Sequence, residues 1–116
     1  MTLADARRGL GFALAAAALL TVPAAAKAPP KAHVIEIRDL AFTPVTLKAE
    51  VGDTVTWVNA DIFRHSATAS DYAFNLDLAP GSRGSAVMSK PGVIRFICRY
   101  HPDMKGTIVV RAKKRG

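Results

Sequence analysis

Apolar and polar residues alternate in short runs along the chain from residue 33 onwards. The run 54–59 is the most regular, and its β-branched and aromatic residues predict a strand with Val55 and Trp57 on its buried face. Further strands are predicted at 33–38, 45–48, 66–69, 84–89, 93–97 and 107–111. No segment after residue 32 keeps a helical period, so the pattern predicts an all-β sandwich or barrel.

The segments between the predicted strands are rich in Asp, Asn, Pro and Gly. Residues 39–44 are expected to bend the chain, 59–66 to form a loop, and 70–83 to make a long excursion on the surface. Met88 is expected to join Trp57 in the core, as large apolar residues usually do.

The first 26 residues have the pattern of a secretory signal. Arg7 and Arg8 precede an apolar run over 11–22, and small residues at 24–26 suit cleavage after Ala26. The run is shorter than the roughly 20 apolar residues that span a bilayer, which disfavours an uncleaved anchor. The context of the arginine pair favours the general secretory route over twin-arginine export. We therefore expect a signal peptide at 1–26, one domain at 27–116, and a periplasmic or otherwise exported protein without stable membrane insertion after cleavage.

The mature chain is basic and has a single cysteine. Its formal charge of about +6 favours acidic partners, whereas nucleic acid is not expected because aromatic and basic residues do not interleave along one strand. The basic residues 113–115 are expected to form a solvated tail. One cysteine excludes an internal disulfide, so a bound metal is one of the few ways left to stabilise so small an exported domain.

The most informative stretch is 96–104, which contains that cysteine. Cys98, His101 and Met104 have the spacing C-x2-H-x2-M. Thiolate, imidazole and thioether donors select copper, and two histidines, a cysteine and a weak axial methionine form a blue-copper site. Zinc is the rival metal, but structural zinc sites do not use thioethers. The period of two turns Cys98 inward with Phe96, while Arg95 and Arg99 point away.

The set lacks a second histidine, and the chain offers two candidates. His33 begins the first predicted strand and is expected to be an exposed surface residue. His65 lies where the loop 59–66 joins a strand, and a loop end on a rigid sandwich can hold a ligand. A single Cys, His or Met is most often a structural residue, whereas the combination favours copper.

Several motifs resemble those of the small cupredoxins, especially amicyanin and plastocyanin. They are Val-Gly-Asp-Thr-Val-Thr-Trp-Val-Asn at 51–59 followed by His65, Leu-Ala-Pro-Gly at 78–81, Lys-Pro-Gly at 90–92, and 98–104 with Gly-Thr-Ile-Val-Val at 106–110. The two-residue gaps on both sides of His101 resemble the short ligand loop of amicyanin. The resemblance covers nearly all of the mature chain and implies a Greek-key β-sandwich of about eight strands.

The resemblance also implies that His65, Cys98, His101 and Met104 ligate one copper ion that alternates between Cu(I) and Cu(II). The family usually has a proline before the first histidine and often an asparagine after it, where this chain has Arg64 and Ser66. Ser66 can still hydrogen-bond to the ligand loop, whereas Arg64 puts a charge near the site. These departures affect redox potential and partner choice more than copper binding.

The predicted function is one-electron transfer between exported redox proteins, without enzymatic activity, by a monomer. Electrons are expected to pass through His101, with Pro102 and nearby apolar side chains as a docking patch. Arg64, Arg99 and Lys105 are expected to be charges at the rim of this patch that steer an acidic partner.

Two other functions are open. The domain could store, deliver or sense copper, although the ligand set is expected to be closed to exchange. It could instead be an enzyme with Cys98 as nucleophile and His65 or His101 as base, but no orienting Asp or Asn stands at a recognisable spacing.

Overall fold

A computed structural model describes residues 28–113 of the chain. The predicted signal peptide at 1–26 lies outside the described residues, as do residues 114 and 115 of the predicted basic tail. Nine strands make up the described part: β1 Ala32–Arg38, β2 Ala41–Thr43, β3 Thr46–Glu50, β4 Thr54–Asn59, β5 His65–Ala69, β6 Asn75–Leu78, β7 Arg83–Val87, β8 Gly92–Cys98 and β9 His101–Arg111.

The strands form two sheets that enclose one core. One sheet has the order β2-β1-β4-β7 and the other the order β3-β9-β8-β5-β6. The pairs β1–β4 and β3–β9 are parallel, and the remaining pairs are antiparallel. The prediction of an all-β Greek-key sandwich is confirmed. Residues 28–113 contain no helix that is long and apolar enough to cross a membrane.

Two strands were not predicted, β2 and β6. β2 is only three residues long and lies in the expected bend, where Asp39 and Leu40 have positive φ values of 53° and 60° and turn the chain back onto β1. β6 lies inside the expected excursion at 70–83 and pairs with β5 at the edge of the five-stranded sheet. Neither strand is long enough to show a clear period of two in the sequence.

The core is built around aromatic rings. Trp57 and Phe96 are 0% and 1% exposed, and their ring centroids lie 5.5 Å apart in an edge-to-face arrangement. Phe42 and Phe74 close this cluster from either side, with centroids 4.8 Å from Phe96 and from Trp57 respectively. Met88 is buried as well, so the predictions for Trp57 and Met88 are confirmed.

His33 is not the exposed residue that the sequence predicted. Its Nε2 lies 2.8 Å from Oδ2 of Asp53, a buried carboxylate that also accepts the backbone N–H groups of Lys31 and Glu50. Burial alone would raise the pKa of Asp53, but these three hydrogen bonds outweigh it and hold the pKa well below its usual range. The pair fixes the start of β1 against the turn before β4.

Candidate metal centre

Cys98 is the last residue of β8, where the alternation of the strand turns it inward. Along Gly92–Cys98 only Phe96 and Cys98 are buried, while Arg95 and Ile97 lie on the other face, as predicted for this strand. Cys98 is 0% exposed, and its Sγ atom accepts a hydrogen bond from the backbone N–H of Ser66, at 3.3 Å. Cys98 is therefore a buried thiol that ends its strand while still belonging to the core cluster.

His65 is the first residue of β5 and is completely buried. Its Nδ1 lies 3.6 Å from Sγ of Cys98, and its Nε2 lies 2.9 Å from Oδ2 of Asp61. Because the carboxylate accepts the Nε2–H group, Nδ1 carries the lone pair and faces the sulfur. Of the two candidate histidines, His65 is the one that the fold brings to Cys98.

His101 is the first residue of β9 and lies directly opposite Cys98 in the register of the β8–β9 hairpin. Its Nδ1 is 3.7 Å from Sγ of Cys98, and its ring centroid is 5.0 Å from that of His65. His101 is half-buried, whereas His65 is sealed. The hairpin thus places one imidazole at the surface and the strand pairing places the other inside.

Donor atoms of His65, Cys98 and His101 all lie within 4.8 Å of one another. For a tetrahedral ion with metal–sulfur and metal–nitrogen bonds of about 2.3 and 2.1 Å, a sulfur and a nitrogen ligand are separated by about 3.6 Å. The observed separations of 3.6 and 3.7 Å match this value. The Nδ1 atoms of His65 and His101 both face the sulfur of Cys98. The three donors therefore fit one metal ion.

Met104 lies three positions beyond His101 on β9 and is 5% exposed. Together with His101 it lines a depression at this end of the molecule. A buried thioether in the same depression as His101 is the kind of side chain that distinguishes a copper set from a zinc set.

Asp61 is a site residue that the sequence interpretation missed. Besides His65 Nε2, its carboxylate accepts the backbone N–H groups of Leu40 and Ile62, each at 2.9 Å. The Leu40 N–H and then the His65 side chain lower the pKa of Asp61. Metal-binding histidines usually donate their second N–H to a carboxylate or carbonyl, so an acid four residues before His65 was the available signal.

The residues on either side of His65 behave differently. Ser66 Oγ accepts the backbone N–H of Arg99 at 2.7 Å, which confirms the predicted hydrogen bond to the ligand loop. Arg64 instead extends to Asp77, with Nη1 2.9 Å from Oδ2. Both side chains are about half exposed, so this surface ion pair offsets the charge of Arg64 only in part, and its role at the rim stays a prediction.

Apolar side chains surround the exposed edge of His101. Phe63 lies with its ring centroid 6.1 Å from that of His101 and 6.5 Å from that of His65. Ile62 is 80% exposed, and Leu40, Phe63 and Tyr100 are each nearly half exposed. With Pro102, these side chains form an apolar surface, called here the apolar end.

The family model for the cupredoxin-like domain matches residues 11–110. The chain belongs to the cupredoxin-like family. The cofactor of this family is copper, so the predictions of the family and of its cofactor are confirmed. The matched range begins within the predicted signal peptide and ends in β9.

The chain is 29% identical to amicyanin-alpha from Methylorubrum extorquens over 117 residues, which cover 89% of this chain and 98% of the relative. A solved structure of an amicyanin mutant in the reduced state superimposes with a TM-score of 0.63, at 25% identity over 78% of this chain and 97% of the other. A copper-containing nitrite reductase from Thermus scotoductus gives a TM-score of 0.64 at 34% identity, over 81% of this chain and 26% of the enzyme. The chain is thus similar to a whole amicyanin and to about a quarter of an enzyme.

Proposed function

We propose that the protein is a one-electron carrier with a mononuclear type-1 copper site, ligated by His65, Cys98, His101 and Met104. The observation that carries this proposal is the approach of two imidazole Nδ1 atoms to one buried thiol, at 3.6 and 3.7 Å. When bound, copper supplies a couple between Cu(I) and Cu(II) that takes up or releases one electron.

Hydrogen bonds from neighbouring residues hold the two buried donors, His65 and Cys98, in place. Asp61 keeps the ring of His65 in place, and the Ser66 N–H donates to the Cys98 sulfur. The hydrogen bond from Arg99 N–H to Ser66 Oγ ties the loop after Cys98 back to β5. A rigid donor set needs little rearrangement between oxidation states, and hydrogen bonds to the cysteine sulfur tune the redox potential.

The apolar end provides the route for electrons in this proposal. His101 is the only half-buried member of the three donor residues, and it lies among the exposed side chains of the apolar end. Transient redox complexes use small interfaces. The few apolar side chains around the exposed edge of the His101 ring therefore suffice for a short encounter. We propose that the partner is an exported redox protein, and that this protein acts as a monomer after cleavage of the signal peptide.

Copper storage or delivery is less well supported. A delivery protein must expose its ligands to an acceptor, whereas His65 and Cys98 are both 0% exposed. Of the three donor residues, only His101 is partly exposed to solvent. The buried donors therefore favour exchange of electrons over exchange of metal.

The sequence-based expectation that no acid orients a histidine beside Cys98 is wrong. Asp61 does orient His65, so Cys98, His65 and Asp61 form a chain of contacts like that of a cysteine hydrolase. However, the thiol and the imidazole are completely buried, which leaves no room for a substrate carbonyl at the sulfur. We propose that the protein is not an enzyme by itself.

The test is to add Cu(II) to the purified mature protein and record the visible spectrum. An intense thiolate-to-copper band that reductant bleaches and oxidant restores is expected, and Cys98→Ser should abolish it. The matched control is Ser89→Cys in the Cys98→Ser background, which returns a thiol on an exposed turn and should not return the band. A colourless adduct, or a copper ion that exchanges rapidly with a chelator, would support delivery instead.

A further inference from the structure

The two histidine donors are held in different ways. The ring of His65 is fixed directly, because the carboxylate of Asp61 accepts its Nε2–H group. The ring of His101 contacts Sγ of Cys98 through Nδ1, and no group within residues 28–113 forms a hydrogen bond with its Nε2. The position of His101 therefore depends on how its backbone is anchored at the start of β9.

One carboxylate holds the residues that precede both histidines. Arg64 comes directly before His65 in the chain, and its Nη1 donates to Oδ2 of Asp77 at 2.9 Å. Tyr100 comes directly before His101, and its hydroxyl donates to Oδ1 of the same carboxylate at 2.8 Å. Each oxygen of Asp77 thus binds a different donor-carrying segment.

Strand register explains how Asp77 reaches both segments. In the β5–β6 pair, Leu78 lies opposite His65 and is buried. Its neighbour Asp77 lies opposite Ser66 and is about half exposed, so the carboxylate is at the surface beside the start of β5. The turn between β8 and β9 passes the same point, because the backbone N–H of Arg99 donates to Ser66 Oγ. The carboxylate therefore lies next to both segments.

The side chain of Tyr100 is held at two places. Its hydroxyl is bonded to Asp77, and the guanidinium of Arg99 lies 5.6 Å from the centre of its ring, within the range of a cation–π contact. Arg99 is itself fixed through its backbone bond to Ser66. The turn between the cysteine and histidine donors is thus tied to the β5–β6 hairpin at two successive residues.

The energetic effect of this bridge is local. Arg64, Asp77 and Tyr100 are each about half exposed, so each contact alone contributes little to the free energy of unfolding. A carboxylate that joins two segments also restricts their movement relative to each other. Because donor atoms from both segments must meet one metal ion together, a loss of this restriction affects the metal site more than it affects global stability.

We propose that Asp77 is a positioning residue of the metal centre. Through Arg64 and Tyr100 it holds the two segments that carry the histidine donors at a fixed separation. It thereby does for the half-buried imidazole, by way of the backbone, what Asp61 does directly for the buried one. That the bound ion is copper rests on the proposed function, whereas the bridge between the two segments does not.

The test is the rate at which the mature protein loaded with Cu(I) loses its metal to an excess of bathocuproine disulfonate. Asp77→Ala should raise this rate about five- to tenfold. Tyr100→Phe keeps the aromatic ring and loses only the hydroxyl, and should raise it about threefold. Two matched controls should leave the rate unchanged. Glu36→Ala breaks a similarly exposed ion pair with Arg38 on the other sheet, and Tyr72→Phe removes the hydroxyl of another exposed tyrosine.

A double variant shows whether the hydroxyl acts through the carboxylate. In the Asp77→Ala background, Tyr100→Phe should cause no further acceleration, because the hydroxyl has already lost its acceptor. Additive effects of the two changes would overturn the proposal. An unchanged rate in Asp77→Ala, or an equal acceleration by Glu36→Ala, would overturn it as well.

The electron paramagnetic resonance spectrum of the Cu(II) form gives a readout that a loss of stability alone does not change. Asp77→Ala should alter the copper hyperfine splitting, whereas Glu36→Ala should not, and identical spectra for Asp77→Ala and wild type would count against positioning.

Amide hydrogen exchange of the metal-free protein separates this proposal from the proposed function. Asp77→Ala should speed exchange at residues 99–101 about threefold or more, with no change in β1 and β4. This acceleration would support the bridge even if the protein formed no blue copper site. Unchanged exchange at 99–101 would overturn the bridge whatever the colour of the copper form.

Discussion

Gly106 occupies a position on β9 that no side chain can share with Phe96. The two residues are directly opposite each other in the β8–β9 register. A Cβ atom built on Gly106 would lie 2.3 Å from Cζ of Phe96 and 2.7 and 2.8 Å from its Cε atoms. The ring cannot move away freely, because Phe42, Trp57 and Phe74 pack around it.

Gly106→Ala is therefore expected to destabilise the protein strongly. Ordinary contacts begin near 3.4 Å, so the ring or the strand must shift by about 1 Å. Overpacking of a tight core typically costs about 1–3 kcal/mol, and a clash with a caged ring lies at the upper end of that range. With a urea m-value of about 1–1.5 kcal/mol/M for a domain of this size, the midpoint should fall by roughly 2 M.

The assay is equilibrium urea unfolding of the metal-free protein, with Gly84→Ala as control. Gly84 is also a strand glycine, but its added Cβ would meet only the ends of the Leu78 and Leu76 side chains, at 3.2 and 3.4 Å. We expect Gly84→Ala to cost less than about 1 kcal/mol, because leucine side chains can adjust their rotamers.

A double-mutant cycle with Phe96→Leu isolates the clash. Phe96→Leu alone should destabilise by creating a cavity, but in the Gly106→Ala background it also removes the ring that clashes. The double variant should therefore be more stable than the sum of the single changes predicts, by about 1 kcal/mol or more. If the two changes were additive, or if Gly106→Ala cost no more than Gly84→Ala, the steric explanation would be refuted.

Other contacts lead to three further predictions. Asp61→Ala should weaken copper binding about 10- to 100-fold, as measured by competition with a chelator. Asp61→Asn keeps an acceptor for the Nε2–H of His65 and should lose less copper affinity. Equal losses of affinity in the two variants would contradict this role of Asp61. The pKa of Asp53 is lowered by folding, so Asp53 stabilises the protein above its unfolded pKa of about 4, and this stability is lost as the pH falls further. The stability difference between wild type and Asp53→Asn, measured by unfolding at several pH values, should therefore narrow between about pH 4 and pH 2. Mass spectrometry of the exported protein should give a chain that begins at Lys27; retention of residues 1–26 would contradict the predicted signal peptide.

The sequence predicted those parts of the site that depend on residues close together in the chain. Cys98, His101 and Met104 are close in sequence, and the period of two along β8 was enough to turn Cys98 inward and Arg95 outward. His65 could be chosen over His33 because it ends a loop beside a strand. The fold brings it within 3.6 Å of Cys98 although 33 residues separate them.

What the sequence did not reveal depends on pairing between distant strands. Asp61 lies only four residues before His65, but its carboxylate meets the ring only because the sheet fixes the direction of His65 at the start of β5. The pairing of Arg64 with Asp77 likewise requires β6, an edge strand too short to recognise.

The pairing of β5, β8 and β9 also determines when the donor set can exist. β9 follows the other strands in the chain, and it carries both His101 and Met104. The β8–β9 hairpin is local, whereas His65 meets Cys98 across 33 positions through the pairing of β5 with β8, and closing so long a loop is entropically costly. His65 and Cys98 therefore have no complete set of partners in a partly folded chain. We therefore expect copper to bind only after β5, β8 and β9 have paired, so that metal capture follows folding rather than directing it.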